Sequence, residues 1–313
     1  MAFMREPLIL VDVSNVGFRT HYAAPQLKSS SGKPTSVLHG VLRIIADLRR
    51  TVSKRIIFCW DHGVPVAGAK KPKNWRDDLL PGYKANRTSN AEERARCLGQ
   101  FADLNRAIRL LGYESASVMG LEADDVIGIL VSGPGNKLIY STDKDFYQLL
   151  DGDRVKILVP QKGKSVFQTL SAASVEKEHG FPINRWAEYL ALGGDKSDNI
   201  KPMRGMGPKT AEKLIHGGIS LITELEDQPP WIQKKYGEAW PAIRLSWFAA
   251  RLPRKWSDPR VRECVAKVDV NGWRLDGAQR WKDRAASAAA FGQFCADRDL
   301  THILSLRHQL FET

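Results

Sequence analysis

Several carboxylates of this sequence stand just after short apolar runs, where a folded chain could gather them. Asp12 and Asp61 each follow such a run directly, and Asp143 follows a third run by two residues. In an open parallel sheet, ligand sites form beyond the carboxyl ends of the strands. Neighbouring strands would therefore bring these three acids into one crevice.

Other acids come in closely spaced groups. One group begins a predicted helix, one is a D-x-D pair, and one has the i, i+3 spacing that shares a face of a helical turn. The three groups are Glu122-Ala123-Asp124-Asp125, Asp143-Lys144-Asp145 and Asp195-Lys196-Ser197-Asp198.

So many carboxylates can share a crevice while ionised only if cations neutralise them. Hard divalent ions prefer oxygen ligands, and two such ions about 4 Å apart can clamp the attacking and leaving oxygens of a phosphodiester. The seven histidines are scattered and suggest no triad. Singly, each acid is more often a helix cap or a solvated side chain. Their convergence at element ends is what favours a shared metal site.

The elements that must position these acids alternate along the chain. Apolar runs at 8–11, 56–60 and 138–140 alternate with helical patterns at 36–50, 101–111 and 122–131. Continuous apolar runs between helices indicate an α/β fold with a parallel sheet covered on both faces. We predict an α/β core over residues 1–170 and a mainly helical domain over 171–313.

The stretch at about 65–100 is long, basic and aromatic with weak apolar periodicity. A connection of this length inside a compact domain is usually functional or mobile. The alternative to a functional role is that this stretch is only a solvated basic loop.

The composition indicates the class of binding partner and the cellular compartment. The 313 residues hold 47 Lys and Arg against 35 Asp and Glu, a formal net charge of +12 that suggests a polyanionic partner. Four cysteines without a CxxC pair indicate a reducing cytosol rather than a disulfide scaffold. The sequence has neither a signal peptide nor an apolar run of the roughly 18 residues that a membrane span needs, so no membrane association is expected.

Seven motifs in order resemble the 5′-nuclease superfamily of flap endonucleases, phage-type 5′→3′ exonucleases and the 5′-nuclease domain of bacterial DNA polymerase I. The resemblance spans roughly residues 8–220. The seven matching stretches contain, in order, Leu10-Val11-Asp12, Asp61-His62-Gly63, Tyr83-Lys84-Ala85-Asn86-Arg87, Leu121-Glu122-Ala123-Asp124-Asp125, Ser141-Thr142-Asp143-Lys144-Asp145, Gly194-Asp195-Lys196-Ser197-Asp198-Asn199 and Gly205-Met206-Gly207-Pro208-Lys209-Thr210.

The resemblance implies a PIN-like nuclease core, a helical arch at about 65–100 and a helix–three-turn–helix motif near 190–216. It also implies that nine acids surround two Mg²⁺ or Mn²⁺ ions: Asp12, Asp61, Glu122, Asp124, Asp125, Asp143, Asp145, Asp195 and Asp198. Asp12 and Asp143 would be central to catalysis, and Lys84 and Arg87 would contact the scissile phosphate. Tyr83 would stack on a nucleobase, with a packed loop tyrosine as the alternative. Arg19 would position a phosphate, with a surface salt bridge as the alternative.

The glycine segment is expected to approach a duplex phosphate. Gly205 and Gly207 allow close backbone approach, and the helix that follows favours an anion at its N-terminus. Lys209, Thr210 and Lys213 would add DNA contacts, and the resemblance implies K⁺ bound by carbonyls of this turn. No G-x-x-x-x-G-K-[ST] motif occurs, so we expect no nucleotide cofactor.

The expected function is a divalent-metal-dependent 5′→3′ exonuclease with 5′-flap endonuclease activity on DNA, acting as a monomer in replication or primer removal. An RNA/DNA hybrid is a further candidate substrate. One alternative is a structure-specific DNA-binding protein without catalysis. The full set of acids speaks against it, because so many carboxylates would repel the phosphates that such a protein binds. Another is a phosphomonoester hydrolase built on the Asp143 pair, which leaves the basic stretch unexplained.

Overall fold

A computed structural model gives the fold of the chain. It describes residues 6–61, 74–87, 90–161, 167–202, 205–255, 257–266 and 287–311. Residues 62–73 and 88–89, and with them part of the predicted arch, lie outside the described residues. Within the described part, no helix is long and apolar enough to cross a membrane.

A six-stranded sheet forms the centre of the protein, in the order β3-β2-β1-β4-β5-β6. The strands are β1 Leu8–Asp12, β2 Ile56–Trp60, β3 Glu114–Ser117, β4 Lys137–Tyr140, β5 Val155–Pro160 and β6 Phe167–Leu170. All neighbouring pairs are parallel except β5 and β6, which are antiparallel. The prediction of an α/β fold with a parallel sheet is confirmed, and the three predicted runs are its adjacent strands β2, β1 and β4.

Fifteen α-helices occur in the described residues, with 3₁₀ turns at Lys144–Leu149, Ile183–Arg185 and Gly237–Ala239. They are α1 Val13–Ala23, α2 Ser36–Thr51, α3 Trp75–Leu79, α4 Ala91–Leu98, α5 Phe101–Leu110, α6 Ala123–Leu130, α7 Ala172–His179, α8 Trp186–Gly193, α9 Pro208–His216, α10 Pro230–Tyr236, α11 Trp240–Ala250, α12 Pro259–Ala266, α13 Ala288–Ala296, α14 Thr301–Leu304 and α15 Arg307–Phe311.

The two faces of the sheet bury separate apolar clusters, because successive strand residues point to opposite faces. Ile9 and Val11 pack with α1, α2 and α5, whereas Leu10 packs with α6, α8, α9 and α11. The last helices return to the first face, where Phe291 and Phe294 join the cluster around α2 and α5. In the described residues after Leu170, the regular secondary structure is helical apart from one isolated bridge. Its helices share both cores with the sheet, so the boundary near 170 stays a prediction.

Candidate metal centre

The strand ends bring three predicted acids to one edge of the sheet. Asp12 ends β1 and is level with Cys59 of β2, so Asp61 lies just beyond the same edge. Ser141, which follows β4, donates its hydroxyl proton to Asp12 at 3.0 Å and accepts the backbone N–H of Asp143 at 3.1 Å. Asp12, Asp61 and Asp143 thus line one cleft of about 380 Å³.

Backbone N–H groups hold the acids at the strand ends, and two of these acids, Asp12 and Asp143, begin the next helix or 3₁₀ turn. Asp12 accepts the backbone N–H of Asn15 at 3.1 Å, and Asp143 accepts that of Asp145 at 3.0 Å. Asp61 accepts the backbone N–H of Ala123 at 2.8 Å. Each carboxylate is therefore held in place by backbone donors, which fixes the direction in which its remaining oxygen lone pairs point.

Glu122 and Asp124 complete the acidic lining of this cleft, and four cationic side chains line it as well: Arg19, Lys84, Arg87 and Arg94. Lys84 donates to both carboxylate oxygens of Glu122 at 2.8 Å and lies 3.5 Å from Asp198. Arg87 donates to Asp198 at 3.0 Å. Cationic and acidic groups therefore meet inside one concave site.

A second acidic group lies beside the first. Ligand oxygens of Asp145, Asp195 and Asp198 all lie within 4.8 Å of one another. Asp145 belongs to the 3₁₀ turn after β4, and Asp195 and Asp198 lie in the tight loop after α8, closed by the paired backbones of Asp195 and Ile200. Three carboxylates at this separation form a hard oxygen donor set that suits Mg²⁺ or Mn²⁺.

The pKa values reflect this crowding. Burial and the neighbouring Asp61 raise the pKa of Asp12 to about 7. Burial, with Asp143 and Asp198 nearby, raises the pKa of Asp145 well above its usual range. Burial and Asp125 do the same to the pKa of Asp124. Strong shifts of this kind mark groups whose ionised form requires a compensating cation.

Glu122 behaves in the opposite way. Burial opposes its ionisation, but the Lys84 ammonium and the Arg76 guanidinium hold the pKa of Glu122 below its usual range. Despite burial, Glu122 and Asp198 raise the pKa of Lys84. Glu122 and Lys84 are therefore an ion pair at neutral pH.

Tyr83 differs from the stacking role predicted for it. Its side chain is 7% exposed, and its hydroxyl lies 2.8 Å from Glu122 Oε2 and 2.7 Å from Asp198 Oδ2. The single hydroxyl proton can be donated to only one of these carboxylates at a time. In this arrangement the ring is packed inside the protein, as the alternative interpretation had it, and is not open to a nucleobase.

Asp125 is also placed differently from its prediction. It is fully buried, and both of its oxygens accept hydrogen bonds from Arg76, at 2.8 and 2.7 Å. The indole N–H of Trp75 adds a third bond at 3.1 Å. A carboxylate held in this way is the partner of a buried cation, so the geometry does not support Asp125 as a direct metal ligand. Arg76 and Trp75 were not predicted as site residues, because the sequence at about 65–100 has little apolar periodicity.

Arg19 lines the cleft and does not form the surface salt bridge considered as its alternative. It donates to the Tyr140 hydroxyl at 2.7 Å, while its other terminal nitrogen, Nη1, is buried without a hydrogen-bond partner. Phe18, Tyr22 and Arg94 line the same cleft and had not been predicted. The regular spacing of Phe18 and Tyr22 along α1, one helical turn apart, was the signal available for these two.

The glycine segment leads directly into α9. Gly205 has φ +78°, and a Cβ at Gly205 or Gly207 would meet nothing within 4 Å, so the backbone is open on that side. Thr210 bonds back to the Gly207 carbonyl at 2.9 Å in the first turn of the helix. Lys209 and Lys213 are exposed on α9. The DNA and K⁺ roles of this segment stay predictions.

Comparisons with known proteins place the chain in a family. A family model described as 5′-3′ exonuclease, N-terminal resolvase-like domain, matches residues 7–180. DNA polymerase I of Deinococcus radiodurans is 34% identical over 225 residues, covering 70% of this chain and 22% of that protein. A 5′-3′ exonuclease of Streptomyces coelicolor is 30% identical over 266 residues, covering 78% of this chain and 85% of that protein. The chain therefore belongs to the 5′-3′ exonuclease family.

The fold agrees with this membership. A structure of the bacteriophage T5 flap endonuclease in complex with DNA and metal ions aligns with a TM-score of 0.58 at 18% identity, covering 96% of this chain and 99% of that one. At this identity the match shows the shared fold. The chain spans between about a fifth and a third of the length of the DNA polymerase I relatives it matches.

Proposed function

We propose that this protein is a 5′→3′ exonuclease with 5′-flap endonuclease activity on DNA, dependent on Mg²⁺ or Mn²⁺. The observation that carries the proposal is the cleft of about 380 Å³ in which Asp12, Asp61, Glu122, Asp124 and Asp143 face four cationic side chains. A pocket lined by charges of one sign would hold only metal ions or only phosphate. A mixed one can hold a phosphodiester and the cations that activate it.

The acids fall into two groups that would hold two ions. The strand-end acids Asp12, Asp61 and Asp143, with Glu122 and Asp124, would serve one, and Asp145, Asp195 and Asp198 would serve the other. Two divalent ions supply an activated water and stabilise the leaving oxygen of a phosphodiester. Hydroxyls and backbone N–H groups orient these acids, which lowers the reorganisation needed during the reaction.

Cationic side chains of this chain would hold the phosphate. Lys84 carries a single ammonium that can follow charge as it develops, and Arg87 presents a planar fork suited to phosphate oxygens. Arg19 also lines the cleft, and its buried Nη1, which has no hydrogen-bond partner, would need a small side-chain movement to donate to the substrate. Phe18, stacked on Tyr22 with ring centroids 6.2 Å apart, gives the rim an aromatic surface beside these donors.

The relatives support DNA as the substrate, because they include DNA polymerase I, and the T5 flap endonuclease structure contains DNA and metal ions. The same proposal includes a role in replication or primer removal and activity on an RNA/DNA hybrid. It also includes action as a monomer and K⁺ binding at the glycine segment. The non-catalytic DNA-binding alternative is disfavoured, because the acids of the cleft, when ionised, would repel phosphates unless metal ions neutralise them.

A cleavage assay tests the proposal with a 5′-labelled flap and a nicked duplex, each in Mg²⁺ and in chelator. The wild type should cleave only with metal, and Lys84→Ala should lower the rate by about 100-fold or more. Lys54→Ala is the matched control, because Lys54 is an exposed lysine just before β2, at the opposite end of that strand. Tight binding without cleavage in Mg²⁺ would contradict the proposal and favour the DNA-binding alternative.

A further inference from the structure

We propose that residues 249–254, called here the 249–254 segment, position the metal-site elements and thereby set the affinity for divalent cations. The inference rests on the proposed metal site. The segment is the end of α11 and the chain that follows it, beyond the region of the family match, which ends at residue 180. Most of the segment is buried, with Leu252 and Ala249 3% and 1% exposed, whereas its last residue, Arg254, is exposed.

The first contact joins this segment to α3. Arg76 donates its Nε to the carbonyl of Ala249 at 2.9 Å while its two terminal nitrogens hold Asp125. It also lies 3.4 Å from Glu122. One buried guanidinium therefore links the segment to both acids at the start of α6. It also fixes α3, which leads directly to Tyr83 and Lys84.

The second contact joins it to the turn that carries Asp145. Gln148 is 5% exposed and binds the segment through both ends of its amide. Its Nε2 donates to the Ala250 carbonyl at 3.1 Å, and its Oε1 accepts the Leu252 N–H at 2.9 Å. The Arg254 guanidinium donates to the backbone carbonyl of Gln148. Three bonds thus fix a residue that lies one turn after Asp145.

The third contact is a close approach of backbones at α6. A Cβ at Gly128 would collide with the carbonyl oxygen of Pro253, so only glycine lets the segment lie this near. Ser132, just after α6, donates its hydroxyl proton to the Arg254 carbonyl. The segment is therefore in direct backbone contact with α6, the helix that carries Asp124 in its first turn.

These three contacts reach three of the elements that carry site residues: the stretch from α3 to Lys84, the 3₁₀ turn of Asp145, and α6. A shift of the segment would move the acids of α6 relative to Asp145 and to the loop of Lys84. Groups that orient metal ligands from outside the coordination shell typically change metal affinity by about 10–100-fold when removed. The segment is in this sense a positioning element, since it acts on the site through Arg76, Gln148 and Gly128.

The test measures Mn²⁺ binding to the full-length protein without DNA, by isothermal titration calorimetry. Gln148→Met keeps the side-chain volume and removes both amide bonds, and it should weaken Mn²⁺ binding about tenfold. Gln228→Met is the matched control. Gln228 is also buried and also binds backbone through both amide ends, at the Ser220 N–H (3.0 Å) and carbonyl (2.7 Å), but these partners lie in the loop before α10.

The control variant should bind Mn²⁺ within about twofold of the wild type at a similar loss of stability. Equal Mn²⁺ affinity of Gln148→Met and wild type, or an equal loss in both glutamine variants, would overturn the inference. If Gln148→Met does not fold, Arg254→Met decides, because it removes only the bond to the Gln148 carbonyl and should also bind Mn²⁺ more weakly than the control. Failure of the proposed metal site is distinguishable, because it would appear as absent Mn²⁺ binding in the wild type itself.

Discussion

Asp12 shows how one residue serves both the fold and the site. It caps α1 through the Asn15 N–H, yet it is buried beside other acids, and its pKa is raised to about 7 from an ordinary value of 3.8. The same carboxylate therefore stabilises a helix start and carries an electrostatic cost. A bound cation stabilises the ionised form and removes this cost. The buried acid therefore lowers the stability of the metal-free protein and raises its affinity for metal.

The pH dependence of stability follows from this shift. Between about pH 4 and pH 7 an unfolded chain has released the Asp12 proton while the folded protein retains it, so the contribution of Asp12 to stability falls as pH rises through this window. In chelator, Asp12→Asn should raise the melting temperature at pH 8 by about 5 °C and change it far less at pH 4.

Thermal unfolding of wild type and Asp12→Asn at both pH values measures this effect. The comparison cancels opposing groups such as His39, whose pKa burial and the neighbouring His302 lower to about 4. The same difference at both pH values would refute the assignment of the pH dependence to Asp12.

At the scale of elements, tight turns decide where the acids of the second group lie. Gly194 ends α8 with φ +79°, and the loop after it returns so closely that a Cβ there would lie 2.5 Å from Pro202 Cδ and 2.7 Å from its backbone nitrogen. The next residue is Asp195. The glycine is therefore required both for its left-handed backbone and for the close approach, and it sets the position of a proposed metal ligand.

Gly194→Ala should destabilise the protein and weaken Mn²⁺ binding. Gly135→Ala is a matched control, because Gly135 has the same φ of +79° and nothing within 4 Å of its Cβ position. The backbone penalty of about 1–2 kcal/mol is common to both, whereas the collision adds about 1–3 kcal/mol at Gly194 alone. Denaturant unfolding and Mn²⁺ titration of the two variants measure the difference. Equal losses would show that the Pro202 contact does not matter.

At the scale of the whole molecule, acids outnumber cationic side chains at the metal centre, although the chain as a whole is basic. The net charge of +12 includes the acids gathered at the metal centre, so the remaining surface is more basic than the total suggests. Exposed Lys209 and Lys213 on α9 contribute to this surface. A basic surface around a cleft lined by acids and cations would attract the nucleic-acid backbone and admit it to cleavage only where metal is bound.

DNA binding should therefore weaken steeply with salt. Neutralising about four phosphates would lower the affinity about 100-fold between 50 and 200 mM salt, and Lys209→Ala with Lys213→Ala should reduce the slope of log affinity against log salt by about 2. Fluorescence anisotropy of a labelled flap substrate in chelator measures both quantities. A slope that the double variant leaves unchanged would remove α9 from the DNA-binding surface.

Some strands were predictable and others were not, for a physical reason. β1, β2 and β4 lie inside the sheet and read as continuous apolar runs, whereas β3 is the short sequence Glu-Ser-Ala-Ser at the sheet edge and β6 is mostly half-exposed. Edge strands bury less apolar surface, so their sequences carry a weaker signal. The acids beyond the central strands were predictable because strand ends of a parallel sheet share one edge.

The sequence by itself determined the class of fold, the order of the acids and their gathering at one edge, because strand and helix periods are local properties of the chain. The tertiary structure alone decided which groups became partners. Asp125 is paired with Arg76, Tyr83 is buried between two carboxylates, and the 249–254 segment contacts three distant elements. Such contacts join residues from about 40 to more than 170 positions apart, and they depend on packing geometry that no local pattern encodes.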